Sequence, residues 1–140
     1  MRQRYADAAR RWIGTPFFPG GRVRGAGCDC VGLLIGAAQE IGELQNYQPP
    51  PYPIQPAGLR EAMLIPELER LGFRRIAEDA RGPGDVVCFR IGKLPHHAGI
   101  LVGADLFVHA IRWHGVILGD LRDSSWHKRL TGIWRAPWDS

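Results

Sequence analysis

The spacing of the apolar residues changes once along this chain, and that change narrows the folds open to it. Before residue 72 they recur at near-helical intervals, and after residue 73 they fall into short runs bounded by turns. The first part predicts a helix over Arg2–Ile13, with Tyr5, Ala8, Ala9 and Trp12 as its apolar stripe, a second over Cys30–Ile41, and a third over Leu59–Leu71 stopped by Gly72-Phe73. A Gly-, Pro- and Arg-rich loop, 14–27, joins the first two. The prolines between Tyr47 and Pro56 impose an extended, polyproline-like connector before the third. The second part predicts a small strand around Arg74–Ala77, then strands at Val86–Phe89, His97–Val102, Leu106–Ile111, Val116–Leu118 and Gly132–Arg135 that complete an antiparallel sheet of about five short strands. Helices segregated from an antiparallel sheet make an α+β domain.

The length of 140 residues suits a single domain, 1–140. The formal charge is +4, and all but two of the 18 basic residues, Lys93 and Lys128, are arginine. Such a balance suits an acidic surface, whether nucleic acid, anionic lipid or an anionic cell-wall polymer. With no dense basic run, the expectation is no nucleic-acid partner. The N-terminus lacks the apolar core of a signal peptide, and the longest apolar run, Val31–Ala38, is too short to span a bilayer. Three cysteines cannot all pair, and Cys28 and Cys30 are too close for an unstrained bridge, so reduced thiols are expected.

Cys30 stands where the glycine-rich loop runs into the second helix, in Gly27-Cys28-Asp29-Cys30-Val31-Gly32-Leu33-Leu34. At a helix start, unpaired backbone N–H groups and the positive end of the macrodipole favour a thiolate over a thiol. A small core residue is the plainer reading of one cysteine, and two distant histidines weigh against it. If Gly103-Ala104-Asp105 is a three-residue hairpin loop, Leu101 faces Phe107, Gly99 faces His109 and His97 faces Ile111. His97 and His109 then share a face as diagonal neighbours, about 7–8 Å apart at the backbone, while His96 points the other way. A helix-start thiol with two such imidazoles supplies a nucleophile, a general base and a group that orients the base. Cys30, His97 and His109 are therefore the candidate catalytic residues.

Metal binding is the competing chemistry for Cys28, Cys30, Cys88, His96, His97, His109, His114 and His127. Cys-x-Cys is not the usual zinc spacing, and no second compact ligand pair accompanies it beyond His96-His97. No metal or cofactor is expected. The glycine-rich loop lacks Gly-Lys-Ser/Thr and follows no strand, which argues against a phosphate cradle.

At these residues the chain resembles the NlpC/P60 family of cell-wall cysteine peptidases, particularly the phage and gene-transfer-agent tail-associated members. The resemblance is carried by Ile13-Gly14-Thr15-Pro16-Phe17 with Gly20-Gly21, by Asp29-Cys30-Val31-Gly32-Leu33, by Pro83-Gly84-Asp85-Val86-Val87, by His97-Ala98-Gly99-Ile100 and by Phe107-Val108-His109-Ala110. Found in that order, they span nearly the whole chain. The resemblance implies a papain-like fold and hydrolysis of peptidoglycan stem peptides, typically between γ-D-glutamate and the diamino acid. It also implies substrate contacts from Phe17 and Asp29. Two positions depart from the family pattern: Phe17 stands where a tyrosine hydroxyl usually assists the oxyanion, and Val31 where serine usually follows the nucleophile. A slow enzyme is the consequence expected. The partners implied are peptidoglycan peptides and phage-like tail proteins, with synthesis in the cytoplasm and action from a tail or virion in the periplasm or cell wall. Two alternatives use the same residues: a structural tail-tip protein with little or no catalysis, and a thiol amidase or acyltransferase on another substrate.

Overall fold

The first helix, α1 (Arg2–Arg11), buries Tyr5, Ala6, Ala8 and Ala9 and leaves Arg4, Arg10 and Arg11 exposed. In the computed structural model, residues 2–48, 59–91 and 94–138 are described, apart from the side chains of 59–63 and 94–96. The proline connector expected over Tyr47–Pro56 lies outside the described residues from Pro49 onward. The loop expected over 14–27 contains a minimal hairpin, β1 (Arg22–Val23) and β2 (Gly27–Cys28), too short to show a period in sequence. The second helix, α2 (Cys30–Glu40), is buried almost all round, from Cys30 through Ala38 except at Val31. A helix apolar on every side belongs in the middle of a domain. The third, α3 (Leu59–Arg70), follows, and no helix among the described residues is long and apolar enough to cross a membrane.

The strands are β3 (Arg74–Ile76), β4 (Val86–Ile91), β5 (Leu94–Leu101), β6 (Leu106–Ile111), β7 (Gly115–Asp120) and β8 (Leu130–Arg135). They form one antiparallel sheet of six strands, against the five or so expected, in the order β3-β8-β4-β5-β6-β7. Strands β4 to β7 make a meander, and β8 returns to pair with β4 on its other side. A short helix, α4 (Ser124–His127), which the sequence reading did not anticipate, sits between β7 and β8.

Alternation along the strands gives the sheet two apolar faces. Val86, Cys88, Ala98, Ile100, Val108 and Ala110 belong to the main core with Leu33, Leu34, Ala37 and Ala38 of α2. Val87, Phe89, Leu101, Phe107 and Ile133 form a second, smaller core on the opposite face, with Leu121 after β7 and Trp126 of α4 packed against it. Residues i and i+1 of a strand point to opposite faces, so the same strands serve both cores.

Asp85 ties the sheet to the helical layer. Its carboxylate is fully buried and accepts from Arg135 Nε and Nη2, both at 2.9 Å, and from the Gly82 N–H at 2.9 Å. The Arg2 guanidinium of α1 lies 3.5 Å away. Removing one partner of a buried ion pair leaves the other charge uncompensated. Asp85→Asn should therefore lower the unfolding free energy by about 3 kcal/mol. Urea denaturation with an unchanged m value checks it, and a loss below the error of the extrapolation would remove Asp85 from this role.

Candidate active site

Asp29 is the N-cap of α2, with extended backbone (φ −106°, ψ −173°). Its Oδ1 accepts the Gly32 N–H at 2.8 Å and its Oδ2 accepts the Gly20 N–H at 2.8 Å. One carboxylate thus fastens the helix start to the glycine-rich loop, and it sits at the positive end of the helix dipole where an anion is stabilised. The loop is held at further points: Phe18 N–H donates to Cys28 O, Cys28 N–H to Pro16 O, and Gly25 N–H to Thr15 Oγ1. Contact between loop and helix is close enough that a Cβ on Gly32 would lie 1.8 Å from Gly21 O. Only glycine fits at residue 32. Asp29 was expected to touch substrate. It has no exposed surface, and its two oxygens are engaged by backbone amides.

Cys30, the first residue of α2, is 3 % exposed. The helix it opens packs against β5 and β6, the strands that carry His97 and His109. The other two thiols are in the main core. Burial, followed by the Asp29 and Cys30 charges, pushes the Cys28 thiol up to about 12, and burial also raises that of Cys88. Both are therefore protonated and inert at neutral pH.

The hairpin register expected for β5 and β6 is the one observed: Leu101 pairs with Phe107 and Ile100 with Val108. Just past that paired stretch, His97 Nε2 lies 2.8 Å from His109 Nδ1, with both rings buried. Gly99 allows the approach, since a Cβ there would come within 2.8 Å of Val108 O and 3.1 Å of His109 Cβ. The side chain of His96 lies outside the described residues.

An aromatic group missed by the sequence reading surrounds the pair. Trp126 stacks on His97 with ring centroids 5.7 Å apart and planes inclined by 26°, and meets His109 edge-on at 4.9 Å. Phe89 lies against His97, and Phe107 against His109. The signal available for α4 was Asp123 before Ser124-Ser125, an N-cap sequence, and Asp123 does accept from the Ser125 N–H. Burial in this apolar setting lowers the His109 pKa from the ordinary 6.5 to about 4. His109 is therefore neutral above about pH 5 and presents Nδ1 as an acceptor whenever His97 carries its proton on Nε2.

Phe17 is half-buried and bridges to Cys28, two residues before the thiol, while the Arg112 guanidinium lies 6.0 Å from its ring centroid. Among the described residues, no group of three or more His, Cys, Asp and Glu side chains converges as a metal ion requires.

The NlpC/P60 family profile matches residues 14–135, a span that holds Cys30, His97 and His109. The chain belongs to the NlpC/P60 family. The murein DD-endopeptidase/murein LD-carboxypeptidase MepS of Escherichia coli K12 is 27% identical over 129 residues, which are 92% of this chain and 60% of that protein. A gamma-DL-glutamyl hydrolase of Bacillus subtilis is 32% identical over 131 residues, 91% of this chain and 27% of that one. This chain thus spans only part of the length of these relatives. Among solved structures, an NlpC/P60 family protein from Bacillus cereus superposes with a TM-score of 0.71 at 16% identity, over 98% of this chain and 40% of its own. The NlpC/P60 domain of the peptidoglycan hydrolase SagA gives 0.66 at 16% identity over 97% and 98%. At that identity the likeness is one of fold, and it confirms the α+β NlpC/P60 architecture.

The depressed His109 pKa carries a sign. The folded state resists protonating His109 until about pH 4, whereas the unfolded chain takes the proton near 6.5. Between those values the unfolded state binds more protons, so stability is complete above pH 6.5 and is lost as pH falls toward 4, by about 3 kcal/mol. Trp126→Ala should open the rings to water and raise the His109 pKa, shortening that window from below. Urea unfolding of both proteins across pH 4–7 measures it, and identical slopes would show that Trp126 does not exclude water from His109.

Proposed function

We propose that this chain is a thiol-dependent peptidase that hydrolyses peptidoglycan stem peptides, with Cys30 as nucleophile, His97 as general base and His109 as the residue that positions the base. The observation that carries the reading is the 2.8 Å contact between His97 Nε2 and His109 Nδ1, on strands next to the helix that begins at Cys30. Because that contact engages Nε2, the proton-transfer edge of His97 is Nδ1. With Nε2–H donated to neutral His109, Nδ1 is the basic nitrogen.

In the first half of the reaction, the Cys30 proton passes to His97 Nδ1 and the sulfur adds to the scissile carbonyl carbon. The oxyanion is met by backbone N–H groups at the start of α2, which the Asp29 cap holds in place. Collapse breaks the C–N bond, and the leaving amine takes the proton from His97. In the second half, water gives a proton to His97 and its oxygen attacks the thioester, which releases the carboxylate and restores the thiol. His109 stays neutral and accepts throughout.

The scissile bond in this reading joins γ-D-glutamate to the diamino acid. Support comes from the motif resemblance and from relatives named as an endopeptidase and a gamma-DL-glutamyl hydrolase. A phage-like tail, carrying the chain from the cytoplasm to the wall, is the setting suggested by the resemblance to tail-associated members, with tail proteins as partners. Phe17, which has no hydroxyl to give the oxyanion, favours slow turnover and keeps a non-catalytic tail-tip module as the second reading.

Cys30→Ala should abolish release of stem-peptide fragments from purified peptidoglycan with the circular dichroism unchanged, whereas Cys28→Ser and Cys88→Ser should keep turnover. His97→Ala should cost more than His109→Ala, since one moves the proton and the other orients its carrier. Selective, pH-dependent alkylation of Cys30 is expected of the enzyme, and its absence would favour the tail-tip module. Phe17→Tyr should raise the single-turnover rate above that of wild type and of Phe17→Leu. If Tyr and Leu behave alike, the hydroxyl has no place at the oxyanion.

A further inference from the structure

A groove of about 560 Å³ runs beside the site, walled on one side by Thr15, Pro16, Phe17 and Pro19 and on the other by Arg112, Trp113 and His114 of the β6–β7 turn. Both walls continue segments that carry the proposed chemistry. Phe17 bridges to Cys28, two residues before the thiol, and Arg112 follows the end of β6, three residues past His109. Continued past its paired stretch, the β5–β6 register would bring Ile111 level with His97, and Arg112 follows Ile111. The walls are tied together by the backbone: Gly14 N–H donates to Val116 O and Val116 N–H to Thr15 O.

The lining has a defined chemical character. Arg112 is its single permanently charged side chain, no carboxylate lines it, and among the described residues no carboxylate pairs with Arg112. Trp113 is 88 % exposed and has φ +76°, an uncommon conformation for a non-glycine residue and a strained one for a bulky side chain. The turn thus holds an indole in water when burial would have stabilised the fold. A flat apolar face beside an unpaired guanidinium suits a ligand with an apolar or methylene-rich body and a carboxylate.

Stem peptides have that chemistry: a γ-linked glutamate leaves its α-carboxylate free, and the diamino acid next to it can carry another. We infer that the groove is a carboxylate-reading subsite for the stem peptide, in which Arg112 pairs with the carboxylate and Trp113 covers the adjoining aliphatic segment. This rests on the peptidase reading above and adds to it a residue that selects substrate.

The test measures binding, so that it is separate from turnover. Titration calorimetry with the full chain carrying Cys30→Ala would compare a stem tetrapeptide bearing both carboxylates with two analogues. One has the glutamate α-carboxylate amidated, and the other has lysine in place of the carboxylate-bearing diamino acid. The same titrations on Cys30→Ala/Arg112→Gln should show at least tenfold weaker binding of the parent peptide. They should also show no penalty for whichever analogue lacks the carboxylate that Arg112 reads, and the analogue that escapes the penalty names the source. Arg112→Lys should recover part of the loss, and Trp113→Ala should weaken all three peptides alike. The inference is overturned if Arg112→Gln leaves the parent affinity within twofold, if it weakens all three peptides equally, or if none of them binds. Arg112-dependent binding by Cys30→Ala, together with no cleavage by the wild-type chain, would overturn the peptidase reading and leave the subsite standing.

Discussion

The carboxylate of Asp29 is the contact on which the site is built. By accepting the Gly32 and Gly20 amides it sets where α2 begins and fixes the glycine-rich loop against that beginning. Cys30 follows it directly, so the position of the thiol and the direction of the first-turn N–H groups come from the same cap. The 1.8 Å that would separate a Cβ on Gly32 from Gly21 O shows how closely the two backbones meet. A charged residue with no exposed surface is ordinarily costly, and here the backbone amides and the helix dipole offset that cost.

The second half of the site depends on the sheet having two apolar faces. If β5 and β6 were packed on one side only, His97 and His109 would face water and His109 would keep its ordinary pKa. Instead Phe89, Phe107 and Trp126 enclose them, and the low pKa of His109 follows from that enclosure. Dry surroundings strengthen the hydrogen bond between the rings and keep His109 a neutral acceptor. The same enclosure makes the pair a source of acid lability, so the feature suited to proton transfer near neutrality also limits the pH range of the fold.

The glycine-rich loop serves two neighbours at once. Through Cys28 and Asp29 it meets α2, and through Thr15 it meets the start of β7. This brings Phe17 and the Arg112-Trp113 turn to opposite sides of one groove although they are almost a hundred residues apart in the chain.

Much of this was legible in the sequence because it is local or periodic. The α2 boundary follows from Asp29 and the apolar run after Cys30, and the β5–β6 register from a three-residue hairpin loop and strict alternation, which is why the pairing of His97 with His109 could be derived. What lay beyond such rules depends on contacts between segments far apart. That the Asp29 carboxylate caps α2 and is buried beneath it was not legible, because motif proximity to Cys30 does not show which way a carboxylate points. Trp126 gave no sign of stacking on His97, since a four-residue helix has too few residues for a period and its partners lie on β5 and β6. Arg112 and Trp113 looked like ordinary turn residues. Local sequence determined the longer elements and the placement of Cys30, His97 and His109 on them. Only tertiary packing decided which residues enclose the two histidines and which segments meet across the groove, because desolvation and groove shape come from surfaces meeting across the fold.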